Sequence, residues 1–199
     1  MAIGAFETGK NLLYNSINSK KKDHEKIAKS FNIKTYYFNH ANDLEFIKFV
    51  ESQNIDLIVN ARTRDIYKNK ILKTPRLGCI NIHHGLLPNY RGTMCDLYAL
   101  FENRPAGFSI HKMEKKIDDG DIVQVVPVTL PDSINAKNFP EHIYQSSIIE
   151  GETLAKLFEK IEQDQKLPAM IKNTSSDVIY TKNPDRNTIK KMIKKGMKL

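Results

Sequence analysis

"CINIHHGLLPNYRG", residues 79–92, joins a short apolar run to a loop of His, Gly, Pro and Arg. Cys79-Ile80-Asn81-Ile82-His83 has the alternation of a strand, so Asn81 and His83 project to one face while Ile80 and Ile82 project to the other. An unpaired polar group in an apolar site costs about 1–3 kcal/mol on protein scales. Asn81 and His83 are therefore either satisfied by hydrogen bonds or aimed at a ligand. They stand at the C-terminal end of the strand, which is where open α/β sheets bind ligands.

The flanking sequence predicts the sheet. Residues 23–31 read as a helix opened by Asp23, with Ile27 and Phe31 four apart, and 35–40 as an aromatic strand. Residues 39–55 hold a helix capped by Asn42 that buries Phe46, Ile47 and Val50. A continuous apolar run at 56–61 has the form of a strand covered on both faces, and 64–72 reads as another helix. This alternation predicts an α/β fold: an open, mainly parallel twisted sheet with helices on both faces. Further on come a helix at 94–103, strands at 106–113 and 121–130 with Pro127 marking an edge, and a long helix at 138–163. Pro140 suits the first turn of that helix, and Gly151 marks a bend. Residues 1–19 read as a weak strand, a glycine-containing turn and a short helix. One domain over residues 1–165 and a polar, basic extension over 166–199, with a weak strand and a Lys-rich helix, account for the whole chain.

With 199 residues, 40% hydrophobic and 27% charged, the chain suits one soluble domain with a sizeable core. No apolar run approaches the ~20 residues that span a bilayer, and the N-terminus lacks a signal-peptide layout, so a cytoplasmic location without membrane contact is expected. Cys79 and Cys95 form no metal or redox spacing and read as reduced thiols. The net charge of +8 is concentrated at Lys20-Lys21-Lys22 and in residues 189–199. Without interleaved aromatics or a finger or RNP motif, nucleic acid is not the expected partner; an anionic small substrate fits the charge equally well.

A second cluster, "IDDGD" at 117–121, carries Asp118 and Asp119 in an Asp-Gly turn. Its spacing lacks the alternating oxygens of a calcium loop. A carboxylate aimed at His83 would set that ring's tautomer and basicity. Amide, imidazole and carboxylate are together the parts that an acyl transfer needs.

The two clusters together, "NIHHGLLPNYRG" and "IDDGDI", resemble the folate-dependent formyltransferase family over roughly residues 40–160. The resemblance implies a catalytic trio of Asn81, His83 and Asp118 and 10-formyltetrahydrofolate as formyl donor, with no metal required. It places the folate against Leu86, Leu87, Pro88 and Asp119, assigns Tyr90 and Arg91 to the substrate side, and gives His111 a supporting role. Arg91 is read mainly as shaping the loop, and Gly85 as relieving its backbone. His84 stands where the family usually has proline, and Gly85 where many relatives have serine. Among family branches, the likeness is best to the short enzymes that formylate amino groups on nucleotide-linked sugars; a homodimer is compatible with this. The glycinamide ribonucleotide enzyme and an inactive folate- or nucleotide-binding relative stay open as alternatives.

Overall fold

Alternation in "CINIH" is realised as strand β2, and the rest of the fold is arranged around it. The computed structural model describes residues 21–63 and 65–199; the elements expected within 1–19 lie outside the described residues. In chain order the elements are α1 (Lys21–Ser30), α2 (Leu44–Ser52), β1 (Ile58–Asn60), α3 (Asn69–Lys73), β2 (Cys79–His83), β3 (Tyr90–Gly92), α4 (Cys95–Phe101), β4 (Ala106–Lys112), β5 (Ile122–Thr129), α5 (Phe139–Asp164), β6 (Ile179–Thr181) and α6 (Arg186–Lys194). The main sheet has the order β1-β2-β4-β5, and β3 and β6 form a two-stranded sheet of their own.

Among the described residues the main sheet is mixed. β1 runs parallel to β2, whereas β2–β4 and β4–β5 are antiparallel. Residues 113–121, with the Asp-Gly turn, join β4 to β5 and are too few for a parallel crossover, so that pair is antiparallel. The two faces of β2 meet different layers. Ile80 and Ile82 pack with Phe108, Ile110 and Leu157 of α5. Cys79 joins Ile47, Val50, Tyr67 and Ile71 from α2, α3 and the segment between β1 and α3. Asn81 and His83 continue that second face beyond the apolar cluster.

Three expectations are corrected. Residues 35–40 form no strand; the rings of Tyr36 and Phe38 instead pack on Phe49 and Phe46 of α2, with centroids 4.5 and 5.0 Å apart. Aromatic richness reports a need for burial, which a helix face meets as well as a sheet does. Asn42 does not cap α2, whose N-cap is Asp43. Its amide instead donates to Ile66 O and accepts from Lys68 N, at 2.8 and 2.7 Å. That clamp holds residues 65–68 out of helix, so α3 is only the short stretch Asn69–Lys73. Ile27 and Phe31, on and after α1, are exposed, and α5 is one continuous helix through Gly151.

The basic C-terminal stretch packs on the loop that follows β2. β6 pairs with β3, while Met192 and Met197 join Tyr90, Cys95, Leu97 and Leu100 in one core. No helix among the described residues is long and apolar enough to cross a membrane.

Candidate active site

Antiparallel register brings the polar side chains together. Asn81 lies directly opposite His111, and His83 opposite Ser109, so each pair shares a face. His111 Nδ1 is 2.9 Å from the Lys112 carbonyl, which can only accept, so this nitrogen carries the proton. The bare Nε2 then accepts from Asn81 Nδ2 at 3.1 Å. That bond orients the amide and leaves its second N–H for a bound molecule.

His83 is buried at the end of β2. Its Nε2 donates to Tyr90 O at 3.0 Å, which leaves the Nδ1 lone pair 3.5 Å from Asp118 Oδ2. Burial holds the His83 pKa below the ordinary histidine value, against the opposing pull of Asp118. The ring is neutral at neutral pH and presents a base at Nδ1.

Asp118 comes from the turn after β4, in left-handed backbone with φ 51°. Gly120 is the only residue type that fits two positions on, because a Cβ there would lie 1.9 Å from Lys112 O. Burial opposes charge on Asp118, yet His111, His83 and the Gly92 N–H, 3.1 Å away, together hold its carboxyl below the usual carboxylate range. Asn173 pins the turn from the C-terminal stretch, donating to Asp118 O and Gly120 O at 2.9 and 3.0 Å. An amide N–H, an imidazole lone pair and an ionised carboxylate therefore converge, despite the 35 residues between His83 and Asp118.

All three line one cavity of about 550 Å³, together with Arg62, His84 and apolar side chains that include Tyr67, Met94 and Met113. The other sequence-predicted residues lie elsewhere. Leu86, Leu87, Pro88, Tyr90, Arg91 and Asp119 are absent from the cavity wall. Leu87 and Tyr90 are buried. The Leu87 N–H donates to Ser109 Oγ, which in turn donates to Gly85 O, at 2.9 and 2.7 Å. Arg91 is buried, with Nη1 on Asp119 and Nη2 2.9 Å from Asn173 O. Its Nη1 and Nη2 brace the loop against the Asp turn, while its buried Nε meets no acceptor among the described residues. Ser109 escaped the sequence reading although a signal existed: in "GFSIH" it is polar two residues before His111, on the same face.

Gly85 has a steric reason. Its backbone is not left-handed, but a Cβ would lie 2.6 Å from His83 Nε2 and 2.7 Å from Cys95 Cβ. The expected relief of backbone strain is thus replaced by close approach of the His83 ring. Gly85→Ala should cost about 1–3 kcal/mol through overpacking, read as a lowered melting temperature; an unchanged one would show that the space exists.

The profile of the Formyl transferase family matches residues 15–138, more than half of the chain. The chain belongs to that family. Relatives of this formyltransferase-family chain include methionyl-tRNA formyltransferase of Clostridioides difficile, 32% identical over 140 residues that cover 70% of this chain and 44% of the relative. Bifunctional polymyxin resistance protein ArnA of Wigglesworthia glossinidia brevipalpis is 29% identical over 145 residues, 72% and 21% of the two chains. The chain spans less than half the length of these relatives. Among solved structures, the formyltransferase PseJ from Anoxybacillus kamchatkensis, in complex with UDP-4,6-dideoxy-4-formamido-L-AltNAc and tetrahydrofolate, matches with TM-score 0.60 at 20% identity, covering 89% of each chain. Methionyl-tRNA formyltransferase from Clostridium thermocellum matches with TM-score 0.59 at 20% identity, over 86% of this chain and 76% of that one. At such identity the two structures show a shared fold.

His84, at the family's usual proline position, opens a polar network behind the cavity wall. Its Nδ1 is 3.2 Å from Asp96 Oδ2 and its Nε2 3.0 Å from Glu150 Oε1. Asp96 is buried and also faces His142 Nε2 at 3.4 Å. Burial disfavours charge on His84, but the two carboxylates outweigh it and push its pKa from 6.5 to about 9. A raised folded-state pKa gives stability that is complete below the unfolded value and lost as pH rises through the folded one. The contribution, on the order of 3 kcal/mol, should therefore fade between pH 6.5 and about 9. Thermal unfolding across that range checks it: native protein should lose stability that His84→Gln does not, and parallel curves would remove the charged ring.

Proposed function

We propose that this chain transfers a formyl group from 10-formyltetrahydrofolate to a primary amine, using Asn81, His83 and Asp118. The observation that carries the reading is their convergence on one cavity with complementary protonation. 10-Formyltetrahydrofolate supplies an electrophilic formyl carbon. Ile66, Tyr67, Ile82, Met94, Met113 and Ile117 give the cavity apolar walls, which suit a flat heterocycle beside a polar end.

The residues' parts follow from their bonds. Asn81 Nδ2, held by His111, donates its second N–H to an oxygen that gains negative charge. His83 Nδ1 takes the proton that the amine gives up as its nitrogen bonds the formyl carbon. The resulting imidazolium, held by Tyr90 O at Nε2 and Asp118 at Nδ1, returns that proton to the folate nitrogen as its bond to the formyl carbon breaks, releasing tetrahydrofolate. Asp118 stays ionised and stabilises that charge, because its own proton affinity is held down. Burial of His83 and Asp118, with Asn81 half-buried, keeps these interactions largely out of bulk dielectric.

For the acceptor we infer a nucleotide-linked amino sugar. The fold match to PseJ, whose complex holds a UDP-linked formamido sugar, supports it. The relatives named methionyl-tRNA formyltransferase support a second reading, an aminoacylated tRNA. One experiment separates them: the purified chain with 10-formyltetrahydrofolate and, in parallel, a UDP-linked amino sugar, glycinamide ribonucleotide and methionyl-tRNA, with products read by mass spectrometry. Formylated sugar alone is expected. Formylation of another acceptor would overturn the sugar assignment, and tetrahydrofolate release with none of them would overturn amine formylation.

A further inference from the structure

Arg62, just beyond β1, shares the cavity wall with Asn81, His83 and His84. Its Nη2 lies 3.4 and 3.5 Å from the two oxygens of Glu150, a long pairing for a charged contact, and only 3.1 Å from His84 Nε2. Glu150 Oε1 is closer to His84, at 3.0 Å. Both nitrogens of the His84 ring face carboxylates, so both carry protons and neither accepts from arginine. Two cations therefore compete for Glu150, since Asp96 is shared with His142. Arg62 loses that competition. Its side chain is 53% exposed, and among the described residues no protein acceptor meets its Nε or Nη1. It also holds left-handed backbone, with φ 67°, a conformation uncommon for a non-glycine residue.

We propose that Arg62 is an anion-binding residue of the cavity, kept available for a phosphate or carboxylate of a bound substrate because the His84 imidazolium takes Glu150 from it. The proposal rests on reading this cavity as the substrate site, and it adds what that site recognises. A guanidinium with its outer edge open suits an oxyanion, which it can grip through two parallel N–H bonds. Two sources carry such a group: the diphosphate of a nucleotide-linked acceptor and the glutamate carboxylate of the folate.

Calorimetric titration of the full chain with UDP, with tetrahydrofolate and with tetrahydropteroate as its methyl ester, which has neither the glutamate nor a free carboxylate, tests it without turnover. Arg62→Gln should weaken one anionic probe about tenfold or more, the range of a charged hydrogen bond. Loss confined to UDP assigns the phosphate. Loss with tetrahydrofolate but not the tetrahydropteroate ester assigns the carboxylate. His84→Gln should weaken the same probe although Arg62 is still present, because Glu150 is then free to hold the guanidinium. The double variant should bind no more weakly than Arg62→Gln alone, a pattern that general damage to the wall would not produce. Arg62 is half exposed, so Arg62→Gln carries the test even where His84→Gln fails to fold. Unchanged affinity for both UDP and tetrahydrofolate in Arg62→Gln would overturn the proposal, as would additive losses in the double variant. A native chain that binds the probes yet transfers no formyl group would overturn the activity and leave this site standing.

Discussion

His83→Gln should lower turnover about 10³-fold, within the range for loss of a positioned acid–base group. Glutamine can still place an N–H near the Tyr90 carbonyl, the bond that His83 Nε2 makes at 3.0 Å, so the loop can keep its anchor. What vanishes is the Nδ1 lone pair that faces Asp118 Oδ2 at 3.5 Å. The amine proton then has no buried base, and Asp118 has no imidazolium to stabilise. In the native protein kcat/KM should begin to fall only below pH 6.5, because burial holds His83 neutral to lower pH than an ordinary histidine. Rates measured from pH 5 upward check both points. Turnover in His83→Gln within tenfold of native would remove His83 from the chemistry, and an acid limb above pH 6.5 would contradict the buried neutral ring.

Asn81→Ala should cost about 10²–10³ in turnover, the usual effect of deleting one oxyanion donor. The loss should fall on kcat more than on KM, since the donated N–H matters most when the oxygen carries charge. Alanine also leaves His111 Nε2 without its 3.1 Å partner, so His111→Gln is the comparison that isolates orientation from donation. It should cost less than Asn81→Ala, because the amide survives without its brace. Equal kcat in Asn81→Ala and native protein would refute the oxyanion role.

Much of this site was legible because its signals are local. Period-2 alternation put Asn81 and His83 on one face of β2, and the Asp-Gly pair marked the turn that carries Asp118. Ile80 and Ile82 turned to the helix layer for the same reason. What was not legible depends on long-range contacts. Arg62 and Glu150 are 88 residues apart, and no spacing rule joins them to His84. Motif position did not show what Arg91 braces against: Asn173, whose carbonyl accepts from its Nη2, lies 82 residues away. Residues 35–40 had strand composition, yet α2 lay near enough to take their rings first. The weak signal at "DVIY" became β6 only because β3 offered an edge, pairing Tyr90 with Ile179.

The central claim is that a formyl group is held between Asn81 and His83. A crystal structure of the chain with 5-formyltetrahydrofolate, a donor analogue, tests this most directly. The account predicts the pterin against Tyr67 and Met113, with the formyl oxygen about 3 Å from Asn81 Nδ2 and the formyl carbon on the side of His83 Nδ1. A folate seated instead against Leu86, Leu87 and Pro88, with its formyl group out of hydrogen-bond reach of Asn81, would contradict it.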